Sequence, residues 1–305
     1  MNGYLRESLL KWLFLAMLGL VDVIWLSLSD FHFVYQTATA PPVICGIFLA
    51  AAWCCWITKK QIGLFVLFDS LAQLCFLPSA GGVLSYLVLS TGLPFIDQHL
   101  SRFDYLLGFD WPRYVTWVQG HPVLDIALRL IYTSWAFEWI LVPLILAYRH
   151  EERVRELCAA TFISVCATLL ISMLYPAISA YPFYTPSNPG IVAEIGVPDL
   201  FALRDGSLRT IDLGTMDGLV SIPSFHAVGA FLFIHAFRGY RILFPVSFVL
   251  NSAILVSTLS AGGHYLVDVL AAAVLALLSI VLYRQFPLIS LTFLRREPQH
   301  GRAVA

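Results

Sequence analysis

The chain has 305 residues, of which 59% are hydrophobic and 12% charged, and its mean hydropathy is +0.80. Soluble domains carry about 25% charged residues, so this composition requires lipid as part of the solvent and excludes an ordinary water-soluble domain. A formal net charge of −1 offers no basic surface, so nucleic acid is not expected as a partner.

Apolar runs recur along the whole chain, which predicts one membrane-integral domain over 1–305. A membrane-crossing helix needs about 20 mostly apolar residues. Segments 9–28, 42–58, 62–93, 122–148, 154–175, 221–238, 242–260 and 263–283 have that character. They predict an all-α polytopic helix bundle of about eight spans, with seven and nine as the neighbouring counts, because lipid leaves backbone groups no partner outside a helix. The first run follows Arg6 and Lys11, and Ala38-Thr39-Ala40 resembles a signal-peptidase site. That site lies about ten residues past the apolar run, beyond Asp30, His32 and Gln36, so an uncleaved first span is expected. The third run is long for one straight span, and Pro78 with Gly81-Gly82 predicts a kink or break there. Asp22 and Asp69 fall inside the first and third runs and are expected to make structural hydrogen bonds. The six cysteines (Cys45, Cys54, Cys55, Cys75, Cys158, Cys166) all lie in apolar runs, without the spacing of a metal site or a disulfide framework.

Of the 18 lysines and arginines, only Arg102, Arg113, Arg129, Arg204 and Arg209 fall on one side of this topology. The others, among them Lys59, Lys60, Arg149, Arg295, Arg296 and Arg302, fall on the side of the termini. The positive-inside rule then puts both termini in the cytoplasm. Two long loops, 94–121 and 176–220, lie on the opposite side. The first, "FIDQHLSRFDYLLGFDWPRYVTWVQGHP", mixes aromatic residues with Asp and Arg and predicts a helix in the outer interface. It reads as a structural interface belt, with a part in shaping a lipid entry as the other reading. The second is rich in Pro, Gly, Tyr and Asp and ends at "SIPSFH"; long loops in compact proteins are often functional.

The chemistry-bearing residues lie in the last three spans. His226 opens the apolar segment after Pro223 and Ser224, and His264 opens the last one. Two crossings intervene, so both histidines sit at the same, non-cytoplasmic end of the bundle. His264 and Asp268 are four apart, which on a helix predicts one shared face. An ionisable pair one turn into a span is by default a functional-site hypothesis. The carboxylate would hold one imidazole nitrogen and leave the other free as base or nucleophile. The helix start after Pro223, with Ser224, predicts an anion seat built from free backbone N–H groups. These parts suit phosphoryl transfer through a covalent histidine intermediate. The same side chains are also compatible with a structural pair, a three-ligand metal site, or the proton path of a proton-coupled transporter. A transporter more commonly carries internal repeats, and none is visible. His235 falls near the cytoplasmic end of its helix and is assigned no chemistry.

"PSFH" (Pro223 to His226) and "HYLVD" (His264 to Asp268) resemble the second and third signature motifs of the type 2 phosphatidic acid phosphatase superfamily. The form "GGHYLVD" is most similar to its inositol phosphorylceramide synthase and sphingomyelin synthase branch, which is inositolphosphotransferase-like, and "LGFDW" (Leu107 to Trp111) resembles bacterial members of that branch. The resemblance spans about residues 200–284 and implies catalytic core helices over 122–284 with the 176–220 outer loop. It implies a lipid-phosphate phosphotransferase or phosphatase without a cofactor or metal. His264 would be the nucleophile, Asp268 its orienting partner, His226 the proton donor to the leaving oxygen, and Ser224 a holder of a phosphate oxygen. The implied partners are the bilayer, a phospholipid or lipid-phosphate substrate, and an alcohol acceptor such as inositol or a lipid hydroxyl. The implied location is an integral membrane protein with its active site outside, periplasmic if the membrane is a bacterial inner membrane. The chain departs from the family pattern where an arginine is usual six residues before the nucleophile, a position held by Thr258, and the usual first motif is absent. The candidates for the phosphate's positive clamp are therefore Arg204, Arg209 and Arg129.

Overall fold

The computed structural model describes residues 2–34, 40–58, 62–148, 150–185, 197–214, 216 and 218–294. Lys59, Lys60, Arg149, Arg295, Arg296, Arg302 and part of the 176–220 loop lie outside the described residues. The described helices, in chain order, are α1 (Asn2–Leu28), α2 (Ala40–Thr58), α3 (Ile62–Leu89), α4 (Asp97–Leu106), α5 (Trp111–Gln119), α6 (Pro122–Ala147), α7 (Glu151–Leu174), α8 (Ala180–Tyr184), α9 (Val197–Asp205), α10 (Phe225–Ala236), α11 (Leu243–Ser260) and α12 (Leu266–Leu294). The protein is an all-α membrane bundle, and seven of these helices are long and apolar enough to cross a bilayer. The expected third span is one continuous helix, α3, that carries Pro78 internally rather than breaking there. The expected interfacial helix is two short helices, α4 and α5, the second started by Asp110, whose side chain accepts from the Arg113 amide.

The expected span over 221–238 differs from the others. Its helix, α10, has 12 residues, or about 18 Å at 1.5 Å per residue, well short of a hydrocarbon core of about 30 Å. The reason is local: residues 221–224 are apolar or small but non-helical, and Ser224 caps the helix by accepting from the Ala227 amide at 3.4 Å. The far end of α10 is pinned level with the start of α7, because Arg153 donates to the carbonyls of Ala236 and Arg238. The 24 residues of α7 climb about 36 Å, so α10 begins roughly halfway up its neighbour. The chain above it runs as a loop, with Ser172 near the end of α7 donating to the Ile222 carbonyl at 3.2 Å.

The centre of the bundle is α10 itself, wrapped by α6, α7, α11 and α12. Ala227, Val228, Ala230, Leu232 and Phe233 are all buried. The first three helices pack outside this group, with α3 against α7 and α1 and α2 against α3. Asp69 joins α1 to α3: it accepts from Tyr4 Oη (2.5 Å), Ser8 Oγ (2.6 Å), Trp12 Nε1 (2.9 Å) and Gln73 Nε2 (3.0 Å). Such saturation is what makes a carboxylate tolerable in an apolar medium. Asp22, in contrast, is buried with Oδ1 unpartnered. A two-residue parallel bridge, His32–Phe33 (β1) with Thr210–Ile211 (β2), ties the turn after α1 to the loop before α10. At the end where α10 finishes, Glu156 meets Arg238 (2.5 Å), Arg284 (2.6 Å) and His235 (3.5 Å).

Candidate active site

The shortness of α10 leaves room above it. A cavity of about 830 Å³ fills that space, bounded by α3, α6, α7, the 218–221 segment, the first turn of α10 and the 261–264 turn. Its size falls in the range of about 300–1,000 Å³ common for ligand sites. His226 and His264 both line it, along with Tyr132, Trp135 and Trp139 of α6 and Ser179 and Ser221 from the loops. The walls toward α2, α3 and α7 are mostly apolar or small, as at Ile44, Leu77, Gly81, Gly82 and Val165.

His264 and Asp268 do make contact, Nδ1 to Oδ2 at 3.3 Å, with Asp268 fully buried. The route differs from the expected shared helical face. His264 precedes α12 and sits in the turn, whereas Asp268 lies in the first turn of the helix. Its carboxylate reaches back, accepting also from the Tyr265 amide (3.1 Å) and Ser221 Oγ (3.2 Å). A carboxylate only accepts, so it selects the tautomer with hydrogen on Nδ1 and leaves Nε2 with a free lone pair. Two glycines shape the turn. Gly263 has φ +65°, and a Cβ on Gly262 would lie 2.8 Å from the Thr258 carbonyl and 3.0 Å from both His264 Cδ2 and Tyr132 Cε2.

His226 lies beside two aromatic rings of α6. Tyr132 stacks on it at 4.2 Å and Trp135 at 4.1 Å, and Tyr132 Oη is 3.2 Å from Nδ1. The hydroxyl can donate to a neutral Nδ1 or accept from a protonated one. Trp135 reaches this position because residue 229 is glycine: a Cβ there would sit 2.4 Å from Trp135 Nε1. Residue pattern did not single out Tyr132, Trp135 or Gly229. The i, i+3 spacing of Tyr132 and Trp135 on α6 is the available signal, but apolar and aromatic residues fill most of α6 and its aromatics read equally well as lipid-facing.

Ser224, expected to hold a phosphate oxygen, is fully buried and is not on the cavity wall; its Oγ caps α10. None of the candidate arginines lines the cavity. Arg129 pairs with Asp125 at 3.2 Å on α6. Arg209 donates to the carbonyls of Leu203 and Leu208 and lies over the Phe31 ring. Arg204 lies over the Phe95 ring at 3.5 Å, with Nε and Nη2 buried and unpartnered, one turn beyond the cavity-lining Leu200. Burial pulls the Arg204 guanidinium below its ordinary range, opposed by Asp97. Arg102 and Arg113 are exposed. Among the described residues no group of three or more His, Cys, Asp or Glu side chains is placed to hold a metal.

The interfacial pair α4–α5 grips the His264 turn. Asp104 is fully buried and accepts from the amides of Leu266 and Val267, each at 2.9 Å. Trp111 Nε1 donates to the carbonyls of Leu259 (3.0 Å) and His264 (3.1 Å). Asp97 accepts from Tyr265 Oη (2.9 Å) and from the Ile178 amide. Burial raises both carboxyls above the ordinary range, and these donors oppose it. Trp111 falls in the "LGFDW" stretch, which carries no role for it, and no pattern in the chain marks Asp97 or Asp104.

The fold and this site define an integral membrane protein with two histidines and a carboxylate around a mostly apolar cavity inside a helix bundle. A profile of the PAP2 superfamily matches residues 98–282, which take in α4 through most of α12. The chain belongs to the PAP2 superfamily, whose members are in general phosphatases and phosphotransferases acting on lipid phosphates in membranes. Comparison with curated proteins and with solved structures returned no match.

Proposed function

We propose that this protein transfers or hydrolyses the phosphoryl group of a membrane lipid through a covalent intermediate on His264. The observation that carries the reading is the placement of His264, backed by Asp268, and His226, backed by Tyr132, on the wall of one cavity. In the first half-reaction His264 Nε2 attacks phosphorus, the N–P bond forms and the P–O bond to the leaving group breaks. His226 delivers its proton to the departing oxygen. In the second half-reaction His226 takes a proton from water or from an alcohol such as inositol or a lipid hydroxyl. That oxygen attacks phosphorus and the N–P bond breaks, which restores both histidines. The phosphate would rest on the first amides of α10, those of the cavity-lining Phe225 and His226, a helix N-terminus suited to anions. The charge asymmetry of the chain supports a site at the non-cytoplasmic end.

The cavity wall bears on the substrate. All five cations on the site's side of the bundle are described, and none reaches the wall. With His226 protonated, His264 neutral and Asp268 anionic, these groups carry no net positive charge, so the site tolerates a singly charged phosphate better than a doubly charged one. A phosphodiester carries one negative charge, whereas a phosphomonoester approaches two at neutral pH. The reading therefore favours a diester phospholipid, with transfer of a phospho-headgroup. Arg204 is the candidate that would have to move to serve a monoester. The test is to give purified protein phosphatidic acid and a panel of diester phospholipids, with and without candidate alcohols, and to identify products by mass spectrometry. Diester turnover that rises with added alcohol is expected, and EDTA should leave it unchanged. Turnover of phosphatidic acid alone, with water as sole acceptor, would overturn the diester assignment.

A further inference from the structure

Helix α12 begins directly after the turn that carries His264, and its first amides have no partner within the helix. Asp268 lies on that same first turn. A carboxylate so placed ordinarily folds back onto the free amides of its own helix. In this protein Asp268 does so only for Tyr265, while the next two amides are taken by Asp104 from α4, a residue 162 positions away from Leu266. Trp111 fixes the same turn from its other side, through the carbonyl of His264 itself. Both side chains are buried and neither lines the cavity.

We infer that Asp104 is a positioning residue for the nucleophile: by occupying the Leu266 and Val267 amides it keeps the Asp268 carboxylate on His264 Nδ1, with Trp111 holding the turn in register. Asp104 touches no reacting atom. Its effect passes through Asp268, which has one oxygen shared among Tyr265, Ser221 and His264 and the other, Oδ1, unpartnered. Remove the Asp104 acceptors, and the exposed amides draw Asp268 away from the imidazole. His264 then loses the bias that keeps hydrogen on Nδ1, and Nε2 is a free nucleophile only part of the time. The other titratable groups around His264 are Tyr265 next to it in the chain, Tyr132 on α6 and His226 on α10, with Asp97 of α4 reaching the turn through Tyr265 Oη; none of them bonds to Asp104. The inference rests on the proposed role of His264.

The test uses the full-length protein in lipid, with three variants and two readouts. Asp104→Asn keeps the shape but offers one acceptor where two are needed. It is expected to lower kcat by about 10- to 100-fold, as for residues that orient a functional histidine, while KM stays within about twofold because the cavity wall is untouched. The second readout is the 15N chemical shift of the His264 ring, assigned by its loss in His264→Gln. The native protein should show hydrogen on Nδ1, and Asp104→Asn a mixture of tautomers. Trp111→Phe keeps an aromatic side chain but removes the N–H donor together with part of the indole's volume, and should move both readouts the same way by less. If Asp104→Asn does not fold, Trp111→Phe decides on the same readouts. Native kcat with the native tautomer in a folded variant would overturn the positioning role, as would a kcat loss with an unchanged tautomer. An active His264→Gln would instead overturn the role of His264, so the two failures are told apart.

Discussion

The two ends of α10 carry the same residue type in opposite surroundings. His235, in the last turn, faces Glu156 with Arg238 and Arg284 gathered on the same carboxylate. His226, in the first turn about 13.5 Å away along the axis, lies beside Tyr132 and Trp135 on a wall without lysine or arginine among the described residues. At the first end the charges answer one another and the cluster closes the bundle. At the other the polar groups are few, with His226 and His264 on the cavity wall, and leave acceptors over: the buried Asp268 Oδ1 and the free nitrogen of His264. The difference teaches that charge density does not mark the proposed site in this membrane protein. A recessed helix start does, because it combines a cavity with unspent backbone dipoles.

The contrast can be broken by mutation. The largest effect is expected at His226→Ala, which should slow adduct formation by about 10²- to 10⁴-fold, the usual share of a general acid. The loss should be greater for a poor leaving group than for a good one, as read by single-turnover kinetics on paired substrates. Equal slowing would remove the acid role. A smaller effect should follow Gly229→Ala. The new methyl would meet the Trp135 indole, costing about 1–3 kcal/mol of packing strain and shifting the ring that holds His226. The fall in kcat should exceed any fall in KM, and an unaltered kcat would show that the Trp135 contact is dispensable. The smallest effect belongs to the other end. His235→Ala removes one partner of Glu156 but leaves both arginines, so thermal stability should drop by only about 0.5–1 kcal/mol, with kcat within twofold. A large kcat loss there would mean that the two ends are coupled.

Much of this arrangement was legible beforehand, for identifiable reasons. Apolar run length alone gave the spans, since a bilayer imposes one length on every crossing helix. The even number of crossings between His226 and His264 put them at one end, and the four-residue spacing to Asp268 gave the pair. The shortness of α10 was not legible, because Ser221-Ile222-Pro223 continues the apolar run while leaving the helix. The cradle of Tyr132 and Trp135 was hidden for a related reason: apolar and aromatic residues fill most of α6, and its charged ones, the Arg129–Asp125 pair and the buried Glu138, do not share one face, so no side is marked as inward. The grip of Asp104 and Trp111 joins segments more than 140 residues apart, beyond any local pattern. The expected arginine clamp came from the family pattern. Arg129 and Arg209 meet local partners, and Arg204 rests on Phe95.

The central claim is that His264 carries the phosphorus between donor and acceptor. It is tested most directly by mixing the purified protein with 32P-labelled phospholipid in the absence of alcohol, quenching in alkali, where an N–P bond survives, and sequencing the labelled peptide. The account predicts label on the peptide carrying His264 at early times, its loss when alcohol is added, and no label in His264→Gln. Full turnover with no labelled His264, or label on another residue, would contradict it.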